Sequence, residues 1–146
     1  KQMKSKDFVK KYIAIVEGHL KDKQGCIMAH IARKENSIIE RCVCDTGDMA
    51  ITHYKVLCSN DIVLDNTTSS YDIIECLLET GRTHQIRVHF SHIGHALLGD
   101  TLYGKPSSFI TRQALHSYYI SFIHPITKQK VEYTAKLPED MKKLYK

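Results

Sequence analysis

The chain has 146 residues, 42% of them apolar and 25% charged, with 21 Lys and Arg against 16 Asp and Glu. That length suits one domain or part of a larger one, and a disordered chain would be poorer in Ile, Leu, Val, Tyr and Phe. The net charge of +5 permits an anionic partner such as RNA without requiring one. No window approaches the roughly 18 apolar residues of a membrane span; the best runs, 13–16 and 73–78, are bounded by polar residues. Residues 1–11 are charged and lack the apolar core of a signal peptide. The five cysteines, Cys26, Cys42, Cys44, Cys58 and Cys76, form no C-x-x-C pair. An odd, scattered set predicts reduced thiols filling strands in a cytoplasmic protein.

In chain order, residues 11–17 place apolar side chains on both faces, which predicts a central strand covered on both sides. Gly18 and the polar stretch 21–25 read as a turn, and 26–32 as a second strand pairing back. Residues 37–45 and 50–58 flank Thr46-Gly47-Asp48 as a hairpin. Residues 62–64 and 71–79 flank the polar loop 65–70 as another. The period then changes: 83–93 reads as a short helix with Ile86, Phe90 and Ile93 on one stripe, Thr83 as N-cap and Gly94 as its stop. Gly99, Gly104 and Pro106 mark a long loop. Residues 114–123 and 130–136 form a last hairpin, and Pro138 opens a terminal helix, 139–145. The predicted class is α+β with a mainly antiparallel sheet and a few short helices.

The dense polar cluster is Thr80-Gly81-Arg82-Thr83-His84-Gln85-Ile86-Arg87-Val88-His89, at the junction of strand and helix. Free N–H groups at a helix start attract anions, and Arg82 and Arg87 can add bidentate contacts. A capped helix with a solvated basic face explains the same residues. His89 and His92 have the spacing of a helical zinc pair, and Cys42 and Cys44 could be soft-metal ligands. No carboxylate or further Cys lies at a matching offset, so no metal site is predicted. There is no G-x-S-x-G, P-loop or Rossmann fingerprint. Asp100, between Gly99 and Gly104, reads as a turn or capping residue. Tyr12 reads as a core tyrosine with one hydrogen-bonded hydroxyl.

From Leu78 onward the motif is specific. Leu78-Glu79-Thr80-Gly81-Arg82-Thr83-His84-Gln85-Ile86-Arg87-Val88-His89, then Gly94-His95-Ala96-Leu97-Leu98-Gly99-Asp100 and Tyr103-Gly104, resembles the signature of the RluA-type RNA pseudouridine synthases. The strand from Lys10 to Gly18 is similar to that family's K-x-Y-x-A-x-V-x-G segment. Ala50-Ile51-Thr52-His53-Tyr54-Lys55-Val56-Leu57 is similar to its A-x-T-x-Y-x-V-L strand. Ala114-Leu115-His116, Phe122-Ile123-His124-Pro125 and Leu137-Pro138-Glu139-Asp140 extend the likeness nearly to the end. The sequence departs in having Ala96 where the family usually has Pro. The family's H-R-L-D segment, source of its nucleophilic aspartate, is not found; Asp7 and Asp45 stand in the wrong context.

The resemblance implies the pseudouridine synthase fold and isomerisation of uridine in ribosomal RNA, or in transfer RNA, with no cofactor. It further implies that 1–146 is the C-terminal part of a catalytic domain, inactive without the segment bearing the aspartate. Arg87 is expected to pair with that aspartate. Tyr12 is expected to pack against the uracil and act as a general base. Arg82, Thr83 and His84 are expected to hold RNA phosphates or buttress the motif, with Ile86 and Val88 walling the pocket. Strands left without their usual neighbours predict a homodimer through an exposed edge. A non-catalytic RNA-binding domain and a His/Cys metal domain are the alternatives.

Overall fold

The computed structural model describes residues 8–145. It is one seven-stranded antiparallel sheet with two short helices. The strands are β1 (Val9–Glu17), β2 (Gln24–Arg33), β3 (Arg41–Val43), β4 (Asp48–Leu64), β5 (Thr67–Leu78), β6 (Leu115–Ile123) and β7 (Lys130–Thr134). The helices are α1 (Gln85–His92) and α2 (Glu139–Lys142). Across the sheet the order is β3-β2-β4-β5-β1-β6-β7. No helix among the described residues is long and apolar enough to cross a membrane.

The apolar residues on both faces of the first strand are explained by its place between β5 and β6. Ile13 and Ile15 join Tyr71, Ile73, Leu98, Ile110 and Met141 in a core on one face. Ala14 and Val16 join Ile74, Cys76, Ile86, Phe90 and Leu97 in a core on the other. Period-2 alternation in β1 and β5 thus feeds two layers, one capped by α2 and one by α1. A third cluster, Ile31, Ala50 and Val88 with Val43 and Tyr103, packs α1 toward β2 and β3. Tyr71 donates its hydroxyl to the Leu144 carbonyl at 2.7 Å, and Arg112 clasps Asp140 through two bonds of 2.9 Å, so the chain end is tied down.

Several sequence expectations shift. β2 pairs with β4 and β3 rather than back onto β1. Thr46-Gly47-Asp48 does not close a hairpin of its flanking strands, because β3 and β4 both pair with β2 instead of each other. The polar stretch 65–70 is mostly strand: Asp65 and Asn66 alone make the turn, both with positive φ, and the ladder resumes at Leu64↔Thr67. Such a two-residue turn matches the twist of the strands it joins, and Asp and Asn tolerate it best after Gly. The terminal helix is a single turn with Pro138 as its N-cap.

The helix α1 begins two residues later than expected. Its N-cap is His84, in the left-handed conformation at φ 56°, and Thr83 caps nothing. Its end follows expectation. Gly94 has φ 86°, its N–H reaches Ser91 O and that of His95 reaches Phe90 O. These paired 5→2 and 6→1 bonds are a Schellman motif, which favours glycine at this point. Ile93 lies beyond the stripe and is half exposed.

The loop 95–114 returns to the sheet rather than hanging from it. Glu17 N–H bonds Ala96 O, Leu98 N–H bonds Ile15 O, and Ile15 N–H bonds Ala114 O. Gly99 sits in this return at φ 77°, and a Cβ there would lie 2.2 Å from Arg112 O. A left-handed non-glycine residue and the overpacking combine to about 2–5 kcal/mol. Gly99→Ala is therefore expected to lower the stability measured by urea unfolding by that amount, whereas Gly94→Ala, with open space around its Cβ, should cost only about 1–2 kcal/mol.

Candidate active site

One cleft of about 340 Å³ lies between the start of β1, the end of β5 and the N-terminal turn of α1. Its walls include Lys10, Tyr12, Arg82, His84, Ile86 and Arg87, together with Gln85, Gln113 and Leu115. The structure thus brings together five of the seven residues singled out in the sequence. Thr83 lines a neighbouring cavity that shares Gly81 and Arg82 with this one. Val88 does not line the cleft: it is buried against Ile31 and Ala50, on the side of α1 that Ile86 does not use. Its expected place in the pocket wall is corrected by the helical period, since residues two apart point to different sides. A further polar cavity, bordered by Glu17, Ser70, Lys105 and Ser107, contains none of the seven candidate site residues.

What fixes the cleft is a chain of buried hydrogen bonds. Gln85 is fully buried and uses both ends of its amide. Its Oε1 accepts from Thr80 Oγ1 at 2.7 Å and from Arg82 N–H at 3.0 Å. Its Nε2 donates to Ile51 O at 3.0 Å and to Thr52 Oγ1 at 2.9 Å. Thr52 in turn meets His89 Nδ1 at 2.9 Å, and His89 Nε2 meets Ala29 O at 3.1 Å. The Ala29 carbonyl can only accept, so Nε2 carries the proton and Nδ1 accepts from the Thr52 hydroxyl. The line Gln85→Thr52→His89→Ala29 ties α1 to β4 and β2 with every polar atom paired. Burial depresses the His89 pKa, and the bond to Ala29 only partly offsets it.

Arg87 is held in one orientation. Its Nε and Nη2 form a two-pronged pair with Asp100, at 2.8 and 2.9 Å. Asp100 is completely buried, and its Oδ1 also accepts from the N–H groups of Leu102 and Tyr103. Burial by itself would raise its pKa; Arg87 and those N–H groups outweigh that and keep the carboxyl ionised below its usual range. Asp100 therefore does cap its turn, and in doing so also anchors Arg87. Arg87 lies 5.1 Å over the ring of Tyr103. The Tyr103 hydroxyl accepts from Arg41 N–H at 2.8 Å and donates to His84 Nδ1 at 2.7 Å. Burial, then the charges of Arg87 and Arg41, lower the His84 pKa. At neutral pH His84 is an uncharged donor through Nε2.

Tyr12 follows a register shift between Lys11 and Tyr12 in the β1–β6 ladder. Such a bulge turns a side chain relative to its neighbours. The ammonium of Lys10 stands 5.8 Å from its ring centre, and no group among the described residues hydrogen-bonds its hydroxyl. The ring packs against the core on the α1 face, as a core tyrosine does, but the hydroxyl lacks the partner that such a residue normally finds. Arg82 is exposed at its head, with Nε donating to Met49 O at 3.0 Å. No three His, Cys, Asp or Glu side chains among the described residues are grouped as metal ligands, and both ring nitrogens of His89 are already engaged. Sequence reasoning missed Gln85, Tyr103 and Lys10. Tyr103 had a signal: it falls three residues after Asp100, within reach of a carboxylate that caps its own turn.

The antiparallel sheet with two short helices is the fold that the sequence resemblance implies, and the comparisons support that family and fold. A family model described as RNA pseudouridylate synthase matches residues 1–92, and the chain belongs to that family. It is 49% identical over 137 residues to a Bacillus subtilis protein named uncharacterized RNA pseudouridine synthase YjbO, covering 94% of this chain and 46% of that one. It is 40% identical over 148 residues to ribosomal large subunit pseudouridine synthase D of Zymomonas mobilis, covering 94% and 44%. Relatives of that name support the RluA type. The solved human RNA pseudouridylate synthase domain containing 1 superposes with a TM-score of 0.75 at 26% identity, over 89% of this chain and 55% of that one. The chain spans about half the length of the curated relatives it matches.

Two variants test the site's framework. Asp100→Asn leaves the Arg87 charge without its partner and is expected to cost about 3–5 kcal/mol in urea unfolding. The second variant is His89→Gln. A histidine whose folded pKa lies below 6.5 contributes stability that is present above pH 6.5 and lost as the pH falls toward the folded value. Near pH 7.5 His89→Gln should melt below the parent chain. That difference should shrink as the pH falls to about 5, because only the parent chain must take up the proton in this way. A constant difference in thermal melts would refute the neutral-imidazole assignment.

Proposed function

We propose that this chain is the C-terminal part of an RNA pseudouridine synthase catalytic domain, and that the whole isomerises uridine to pseudouridine in ribosomal RNA. The observation that carries this is the shared cleft: Tyr12 and Arg87 line one space, with Arg87 held at a fixed angle by Asp100. The name of the Zymomonas relative favours ribosomal over transfer RNA as substrate.

In this reading a uridine leaves the RNA stack and enters the cleft, at a cost of a few kcal/mol. Asp100 is buried and bonded on both oxygens, which makes it unsuitable as a nucleophile. The nucleophile is the aspartate of an H-R-L-D segment upstream of residue 1. Asp100 occupies Nε and Nη2 of Arg87, and Nη1 has no partner among the described residues. Nη1 then holds the incoming carboxylate ionised and oriented. The carboxylate displaces the base, the N-glycosidic bond breaks, and the uracil turns to present carbon 5. A new carbon–carbon bond joins carbon 5 to carbon 1′ of the ribose as the carboxylate–carbon bond breaks and frees the aspartate. The N1 released by the first step takes up a proton, and the proton on carbon 5 must leave. The unpaired Tyr12 hydroxyl is the base for that proton, and its ring packs against the uracil. Ile86 walls the cleft, while Arg82, Thr83 and His84 face the phosphates. No step needs a cofactor.

Self-association of this chain through a sheet edge would use β3 or β7, the outermost strands described. Both are short and carry charge, which weakens edge pairing. Light scattering across a concentration series reads it directly.

The test of the activity is tritium release from RNA labelled at carbon 5 of uridine. The chain alone is expected to release none, and a protein extended upstream through H-R-L-D to turn over. In the extended protein Tyr12→Phe should lower the rate roughly 10²–10⁴-fold with unchanged melting. Arg87→Ala should lower it by a similar factor and also lower the melting temperature, because it strands the buried Asp100, so its rate is measured well below its own transition. Release by the 146-residue chain alone would overturn the assignment of the nucleophile. RNA binding without release from either protein would favour a binding domain.

A further inference from the structure

Arg33 and Arg41 face each other directly across the β2–β3 ladder. Opposed residues on antiparallel neighbours project from the same face, so two guanidinium groups are set side by side, an arrangement that lowers stability. Among the described residues neither arginine, nor Arg82 beside them, appears in an ion pair with a carboxylate. The Nη1 atom of Arg41 is buried and has no hydrogen-bond partner. Buried donors are almost always satisfied, so this one lacks an acceptor from outside the described chain. All three arginines line a single open cavity of about 520 Å³, with Gly81, Thr83 and one carboxylate, Asp48. Gly81 and Arg82 also line the cleft that holds Tyr12 and Arg87, so the two spaces share a wall.

We propose that this cavity is an anion site that takes a backbone phosphate of the RNA, next to the nucleotide in the cleft. The inference rests on the RNA reading given above and extends it to Arg33 and Arg41. A phosphate supplies both missing elements: an acceptor for Arg41 Nη1 and a negative charge that converts the repulsion of the opposed arginines into shared attraction. The wall shared with the cleft favours a phosphate of the same strand over a free ion or a carboxylate of another protein segment.

The experiment measures binding of the 146-residue chain to a fluorescent uridine-rich single-stranded RNA over a series of salt concentrations, together with melting temperatures. The variants are Arg33→Gln, Arg41→Gln and the double, with Lys130→Gln on the far strand β7 as control. The double variant is expected to bind about tenfold more weakly at moderate salt. Its slope of log affinity against log salt should become shallower by about 0.7 for each phosphate that is no longer neutralised. Without RNA, the same variant should melt at or above the parent temperature, because a like-charge pair is gone; an arginine kept for packing would do the reverse. The control should change neither. Wild-type affinity and salt slope in the double variant would overturn the site even if RNA still binds. If only inorganic phosphate raises the parent melting temperature and RNA does not bind, the RNA source is overturned and the anion site stands. Failure of tritium release in the extended protein, with the arginine effects intact, would refute the isomerase reading alone.

Discussion

The structure turns on a buried glutamine. Gln85 has no ionisable group and no apolar bulk, yet it determines how α1 meets the sheet. Four hydrogen bonds leave its amide, to Thr80, Arg82, Ile51 and Thr52. A half-satisfied amide in that position would cost more than an apolar residue, while a fully satisfied one specifies a single arrangement. The line continues through Thr52 and His89 to Ala29, so three elements far apart in sequence share one polar seam. The helix is only eight residues long and starts without a side-chain cap. Helices this short are marginal alone, so its position comes from this seam and from Ile86 and Phe90 in the core.

The chemistry is placed as a consequence. With the helix start fixed, Arg87 lies two residues beyond Gln85 and on the cleft side, where the loop 95–114 meets it. That loop is itself bound to the end of β1 through Ala96, Leu98 and Ala114. Asp100 is thereby carried to Arg87 by the same strand that carries Tyr12 to the cleft. The distance between the two candidate functional groups is set by β1, the strand packed on both faces, and not by loop conformation.

The fold class, the central strand, the last hairpin and the C-terminal stop of α1 were legible because period-2 alternation and a left-handed glycine are local signals. Strand partners were not. The segment at Thr46-Gly47-Asp48 looks like a hairpin turn from either side, and only the competition of β2 for both neighbours decides against it. Residues 65–70 read as a loop because Thr and Ser in the outer part of β5 are as polar as turn residues. Arg87, Arg82 and His84 were legible as members of a long motif and Tyr12 as part of a separate strand segment, and the structure gathers them in one cleft. Val88 falls outside it because neighbouring positions in a motif do not share one surface when a helix turns about 100° per residue. The like-charge pair Arg33 and Arg41 could not be read at all, since neither residue stands out until the register sets them opposite each other.

The sheet order also has a kinetic consequence. The first strand lies between β5 and β6, so Tyr12 is partnered by Cys76 and Ser117, and Val9 by Ser121. Closing loops of that size costs chain entropy before any contact is gained, and folding slows as contacting residues lie farther apart in sequence. β2, β3 and β4 can assemble from near neighbours, and β5 can add to them through its tight turn. β1 has no partner until β5 has formed, and its second side stays open until β6 arrives. During synthesis on the ribosome the strand that carries Tyr12 would therefore emerge before the other strands described and be covered by β5 and β6 only after they have followed, leaving its apolar faces open to chaperones or to a premature partner in that interval.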